Sequence, residues 1–223
     1  VLVYLKAEGY EAGVSVLNAY QMMDGEKFGH MVSCDDETLA ITSSLGRVWV
    51  YRRANSYNSY EWRFVEIVGT EDVDRSTITT VTVLNGDTLA VNRIGRRDDP
   101  DSKTLDRISI YKSDGVSWKK SQSLTHPDQR VGDGFGTAFA FCGDILHVSR
   151  SNDDNSPTSK GVLCHFRQVM GEWVLSDTSR NHPTTQVEYF ASALASAGQN
   201  LFIVTSKCDA MSNYVSSVQI KHS

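Results

Sequence analysis

Four stretches of this chain are versions of one another. FGHMVSCDDETLAI from Phe28, ITTVTVLNGDTLAV from Ile78, FGTAFAFCGDILHV from Phe135 and FASALASAGQNLFI from Phe190 align without gaps. Their starts lie roughly fifty residues apart, a period that belongs to β-propellers and related strand-built arrays. Each copy reads as a strand, a tight polar turn and a second apolar strand. Asn85-Gly86 is the clearest turn, because a two-residue hairpin that matches strand twist needs positive φ at both positions. A one-residue slip would turn every buried side chain outward, so the alternation also sets the register.

Two further strands complete the unit. RVWVYRR from Arg47, RISIYKS from Arg107 and VLCHFRQ from Val162 carry an aromatic at one place, Tyr51, Tyr111 and Phe166, and Tyr4 fills it in the opening VLVYLK. After a polar turn, Trp62, Trp118 and Trp173 each open a fourth strand. Small residues in the first strand, Ala138 and Ala140, Ala193 and Ala195, Thr80 and Thr82, suit the crowded inner strand of a radial array. The predicted fold is therefore all-β: a propeller of four-stranded antiparallel blades, about five of them, with the terminal one shared or incomplete. The units run over about 1–22 (partial), 25–70, 75–126, 132–180 and 187–223, as one domain over 1–223. The C-terminal unit stops at a third strand, so residues 13–17 are predicted to pair beside residues 217–221 and complete the fifth blade. The alternative is a larger propeller or a partner that covers the ends, since open edges invite pairing. Starting at Val1, mid-strand and without Met, the sequence reads as a processed product or a piece of a longer chain.

Composition excludes some classes. A chain of 223 residues with net charge −5 and pI near 5.7, lacking a Lys/Arg block, has no field to gather phosphate backbones, so nucleic acid is not an expected partner. No apolar run approaches the ~20 residues of a spanning helix, and no signal segment opens the chain, so no direct membrane insertion is expected. Cys34, Cys142, Cys164 and Cys208 occupy non-equivalent repeat positions and form no C-x-x-C pair. They read as unpaired small hydrophobes, with no metal site and no cofactor.

The pattern resembles the FG-GAP repeat of the integrin α-subunit head and related surface proteins. The matching residues are Asp24 to Gly29 and Gly132 to Gly136, then Gly86-Asp87-Thr88-Leu89-Ala90-Val91, Val48-Trp49-Val50-Tyr51 and Trp62. Ile78-Thr79 and Phe190-Ala191 depart from Phe-Gly, the Gly-Ala-Pro element is replaced in every unit, and the family's calcium loop has no match, so calcium is not carried over. The resemblance implies a propeller used for adhesion or assembly, in an extracellular or cell-surface setting.

Candidate contact residues lie in the variable loops between second and third strands and at one hairpin tip. Asp98, Asp99 and Asp101, and separately Asp153 and Asp154, are solvated acidic turns first and oxygen ligands for a hard cation second. Tyr57, Asn58 and Tyr60, grouped with Tyr51 in an aromatic-polar tip, suit a glycan or protein contact if they are more than an ordinary turn. The tryptophans read as packing between units before sugar platforms. His147 reads as a hydrogen-bonded structural histidine, and Cys164 and His165 as opposite faces of one strand. No catalytic set is recognisable. The expected function is a non-enzymatic interaction, adhesion or assembly module with a protein partner. A glycan-binding lectin is the alternative, and a hydrolase or lyase working in a central channel comes last.

Overall fold

The computed structural model describes residues 2–4, 14–54, 61–72, 77–79, 82–95, 104–151, 161–180, 189–208 and 214–222. A 3₁₀ turn, Thr70–Asp72, is the only helical element among them. A short ribbon of β1 (Leu2–Tyr4) and β2 (Val14–Val16) comes first. Four antiparallel sheets follow in chain order. The first is β3 (Phe28–Cys34), β4 (Thr38–Ser43), β5 (Val48–Arg53) and β6 (Trp62–Val68). In the second, β7 (Thr77–Ile78) and β8 (Thr82–Asn85) share one edge of β9 (Thr88–Gly95), followed by β10 (Arg107–Ser113) and β11 (Trp118–Leu124). The third is β12 (Phe135–Cys142), β13 (Ile145–Arg150), β14 (Val162–Val169) and β15 (Glu172–Ser179). The fourth has three strands, β16 (Tyr189–Ala197), β17 (Asn200–Cys208) and β18 (Tyr214–His222).

These sheets are the blades of a β-propeller. Inner strands of consecutive blades touch, β3 with β8, β8 with β12 and β12 with β16, and so do the outer strands β6 with β11 and β11 with β15. Between them, sheet faces pack into apolar cores. Ala40, Val48 and Val50 of the first blade meet Leu89, Val91 and Tyr111 of the second. Ala90, Ile108 and Ile110 of the second meet Leu146, Val148 and Phe166 of the third. Ala140, Cys142 and Leu163 of the third meet Phe190, Leu201 and Ile203 of the fourth. Burying each large aliphatic contributes about 1.5–3 kcal/mol, so the alternation that sets register also welds blade to blade.

The Phe-Gly opening has a backbone reason. The inner strand bulges just after it, with register shifts between Phe28 and Met31, Phe135 and Phe139, and Tyr189 and Ala193. Gly29 and Gly136 take φ of 88° and 78° there. A hydroxyl from the neighbouring strand stitches the bulge, Thr42 Oγ1 accepting from Met31 N and Ser149 Oγ from Ala138 N, both at 2.9 Å. In the second blade Thr79 stands in place of that glycine, and the inner strand is split into β7 and β8.

Two repeated polar devices join the parts. Glu26 and Asp133 each stand two residues before the phenylalanine and form buried ion pairs, Glu26 with Arg47 and Asp133 with Arg150. At the rim, the residue four places after the tryptophan of one outer strand grips the tryptophan at the start of the next. Glu66 Oε1 accepts from Trp118 N at 2.5 Å, and Gln122 both accepts from Trp173 N and donates to its carbonyl, each at 2.8 Å. Trp118 and Trp173 are buried in the interblade cores and Trp62 packs at the edge of another, as expected of packing residues. Their indole nitrogens have no hydrogen-bond partner among the described residues.

The ends are arranged differently from the expectation. Among the described residues four blades are present, and the fourth is incomplete as predicted but not shared. β2 pairs with β1, from Leu2 opposite Val16 to Tyr4 opposite Val14, and β18 pairs with β17 alone among the described residues. A local ribbon closes a far shorter loop than a pairing between chain ends, and loop closure sets the entropic cost. Residues 17–21 instead lie along the back of the first blade. Tyr51 Oη donates to the Asn18 carbonyl at 2.8 Å, Trp49 Nε1 to that of Tyr20 at 2.9 Å and an Arg47 nitrogen to that of Gln21 at 2.8 Å, while Leu17 is buried beside Leu39 and Ile41.

Candidate functional site

One gap between blades departs from the apolar pattern of the others. Between the first and second blades, Tyr111 lies against the cross-strand pair Ala40 and Val50. Between the second and third, Phe166 lies against the equivalent pair Ala90 and Ile110. Between the third and fourth, the residues at these three positions are Lys221 and the pair His147 and His165. A cation and two imidazoles stand where an aromatic ring and two aliphatic side chains stand elsewhere.

These side chains border a cavity of about 220 Å³, with Arg167, Ser176 and Asp177 from the third blade and Leu201 from the fourth. His147 and His165 meet edge to face, their Nδ1 atoms 2.7 Å apart. His165 Nε2 lies 2.9 Å from Ser179 Oγ, and Lys221 Nζ lies 3.5 Å from the same oxygen. His147 Nε2 is buried and has no partner among the described residues. Burial, then the neighbouring His165, then Lys221 and Arg167 push the His147 imidazole down to about 4. Burial and then Lys221 lower His165 as well, with Asp177 opposing. Both rings are therefore neutral near pH 7. Asp177 is the repeat equivalent of Glu66 and Gln122, but it grips no tryptophan; its Oδ1 accepts from Thr178 N at 2.7 Å.

A second recess of about 520 Å³ opens at the turns of the first two blades, bordered by Asp35, Asp36, Glu37, Asp87, Arg52 and Trp118. Its groups are mostly engaged in shaping the turns. Asp35 Oδ1 accepts from the Glu37 and Thr38 nitrogens at 2.9 and 2.7 Å, and an Arg52 nitrogen donates to the Gly115 carbonyl at 2.5 Å. Asp114 beside it caps its own turn, and hydrogen bonds from the Ser117 and Val116 nitrogens hold its carboxyl well below the usual range.

Tyr57, Asn58, Tyr60, Asp98, Asp99, Asp101, Asp153 and Asp154 all lie outside the described residues. Tyr51 is a correction: it was grouped with the exposed tip, yet it is 2% exposed, because its ring packs in the first blade while its hydroxyl reaches Asn18. Cys142 and Cys164 are buried and free of disulfides, but Cys34, also free, is exposed. Cys164 faces the core and His165 the gap, on opposite faces as expected. His147 is hydrogen-bonded as expected, but to His165, a partnership missed in reading the chain. The signal was present: the alignment that puts Leu146 opposite Phe166 also puts His147 opposite His165 and Lys221 at the aromatic position. No group of three or more metal-ligating side chains occurs among the described residues. No described helix is long and apolar enough to cross a membrane.

No protein-family model matches this chain, and no curated protein matches it. Among solved structures, that of the computationally designed Ika4 protein superposes with a TM-score of 0.48 at 11% identity, over 93% of this chain and 95% of that chain.

Proposed function

We propose that this chain is a non-enzymatic interaction and assembly module that docks another β-sheet against the far face of its fourth blade. One observation carries the reading. Val48 and Val50 of the first blade and Ile108 and Ile110 of the second are covered by the next blade and are at most 1% exposed. The equivalent residues of the fourth blade, Val218 and Ile220, are 61% and 58% exposed. A face built to the pattern of an interblade core thus lies open to water. Covering it would contribute about 1.5–3 kcal/mol for each large aliphatic. β18 is also an edge strand, a template for a further strand. Adhesion or assembly is the use that the FG-GAP likeness implies.

For the isolated chain, the available sheet is the same face of a second copy. Light scattering after size-exclusion chromatography should show association that grows with concentration. The pair Val218→Lys and Ile220→Lys should hold the protein monomeric without lowering its melting temperature. An unaltered chain that stays monomeric at millimolar concentration overturns the proposal.

A further inference from the structure

We infer that the gap between the third and fourth blades is a binding site for a small oxyanion of the phosphate class, held by Lys221, Arg167 and the Ser179 hydroxyl, with His165 behind that hydroxyl. The inference stands apart from the docking face, which lies on the other side of the fourth blade.

Three repeat positions depart together. Tyr111 on Ala40 and Val50, and Phe166 on Ala90 and Ile110, show what this sequence builds when an interblade gap only has to be filled. Lys221 on His147 and His165 replaces that contact with donors. Burying imidazoles carries a desolvation penalty unless their polar atoms are paired, and His147 Nε2 is left unpaired. Stability alone would favour the apolar set.

The hydrogen bonds leave a hydroxyl donor open to a further acceptor. Between two neutral imidazoles sharing an Nδ1 to Nδ1 contact, one donates and the other accepts. A buried lone pair is tolerated more readily than a buried N–H, so His147 Nδ1 donates to His165 Nδ1 and leaves its Nε2 as the bare acceptor. His165 then carries its proton on Nε2 and donates it to Ser179 Oγ, to which Lys221 Nζ also points. Both lone pairs of that oxygen are occupied, and its O–H is directed elsewhere. An anion in the cavity completes the set, with the Lys221 ammonium and the Arg167 guanidinium on its wall as charged donors and the Ser179 hydroxyl reached beside Lys221.

Charge and size agree. Arg167 and Lys221 outnumber Asp177 on the cavity wall, and the Arg167 partner Asp144 is an exposed carboxylate 3.8 Å away, a weak competitor. A volume of about 220 Å³ is smaller than the ~300 Å³ at which drug-sized pockets begin, and fits a phosphate with a few waters. A divalent metal fits poorly, because the two Nδ1 atoms are spent on each other and both nearby long side chains are cations.

The test is a titration of inorganic phosphate, with phenyl phosphate in parallel, into the intact chain at low ionic strength, followed by imidazole NMR against a chloride control. Saturable shifts of the His165 resonances are expected, with its pKa rising by about one unit or more as an opposite charge arrives. Tighter binding of phenyl phosphate would assign the site to phosphate monoesters, and equal binding to free phosphate. Lys221→Met should weaken binding at least tenfold. The double variant His147→Ala with His165→Ile, which copies the Ala90 and Ile110 pair of the second blade and keeps Lys221, Arg167 and Ser179, should fold normally and bind phosphate severalfold more weakly by calorimetry. No saturable shift, unchanged affinity in either variant, or displacement of phosphate by zinc at pH 7 would each overturn the inference.

Discussion

Ala191 holds in the fourth blade the backbone position that Gly136 holds in the third. Their φ values are 57° and 78°, both in the left-handed region that the inner-strand bulge requires. A Cβ there costs an ordinary residue roughly 1–2 kcal/mol. Ala191 is fully buried and keeps its methyl against the interblade core at that cost. Ala191→Gly is therefore expected to leave stability unchanged or raise it by up to about 1 kcal/mol, once lost packing and added unfolded-state entropy are set against relieved strain. Gly136→Ala should cost about 2 kcal/mol or more, because the new methyl would also come within 3.1 Å of Ile108. Urea denaturation of the two variants checks both, and a loss of stability in Ala191→Gly or no loss in Gly136→Ala would contradict the bulge argument.

The buried ion pairs set a second expectation. Arg150 is clasped by Asp133 and donates to the Asp128 carbonyl at 3.0 Å, so removing the carboxylate strands a guanidinium inside the protein. Asp133→Ala should cost about 3–5 kcal/mol, whereas replacing both partners by apolar residues of similar volume should cost much less. A double-mutant cycle at Asp133 and Arg150 measures the difference.

Glu26 makes the equivalent pair sensitive to acid. Burial raises its pKa, but bonds from Arg47, Met23 N and Ser43 and the Arg47 charge outweigh this and hold it below 4.5. A carboxyl depressed in the folded state stabilises above its unfolded value, so this contribution should be lost as pH falls below 4.5. Glu26→Gln should flatten the acid limb of a stability curve.

Higher up the pH scale, His147 dominates. Its folded pKa of about 4 lies below the ordinary 6.5, so between these values the unfolded chain takes up a proton that the folded chain refuses. Stability is full above pH 6.5 and falls on acidification toward pH 4, by up to about 3 kcal/mol. The fourth blade should loosen first, which hydrogen exchange in β16 and β17 would report. The His147→Ala, His165→Ile variant should lose this slope, and its persistence there would assign the effect elsewhere.

The rim clasp is testable in isolation. Gln122 accepts and donates one hydrogen bond each with the Trp173 backbone. Gln122→Ala should cost about 1–2 kcal/mol, while Gln122→Glu, which keeps the acceptor as Glu66 does in the first blade, should recover about half.

Much of the blade architecture was legible because a repeat compares the chain with itself. Leu39, Leu89, Leu146 and Leu201 align without gaps, and each sits opposite the predicted third-strand position. The His147 and His165 pair was equally available from that alignment. It was overlooked because each histidine was weighed against its neighbours along the strand, and not against the residue across from it.

The period, the strand order within each blade and the apolar face of every strand are local properties, and the amino-acid sequence determined them alone. Alternation, turn chemistry and register need no distant partner. What covers each face depended on the tertiary structure. Residues 17–21 lie along the first blade, and Lys221 enters a gap beside Ser179, 42 positions away. Such contacts join parts of the chain that no repeat relates, and the outcome turns on loop closure and competing partners, which are set only when the blades assemble.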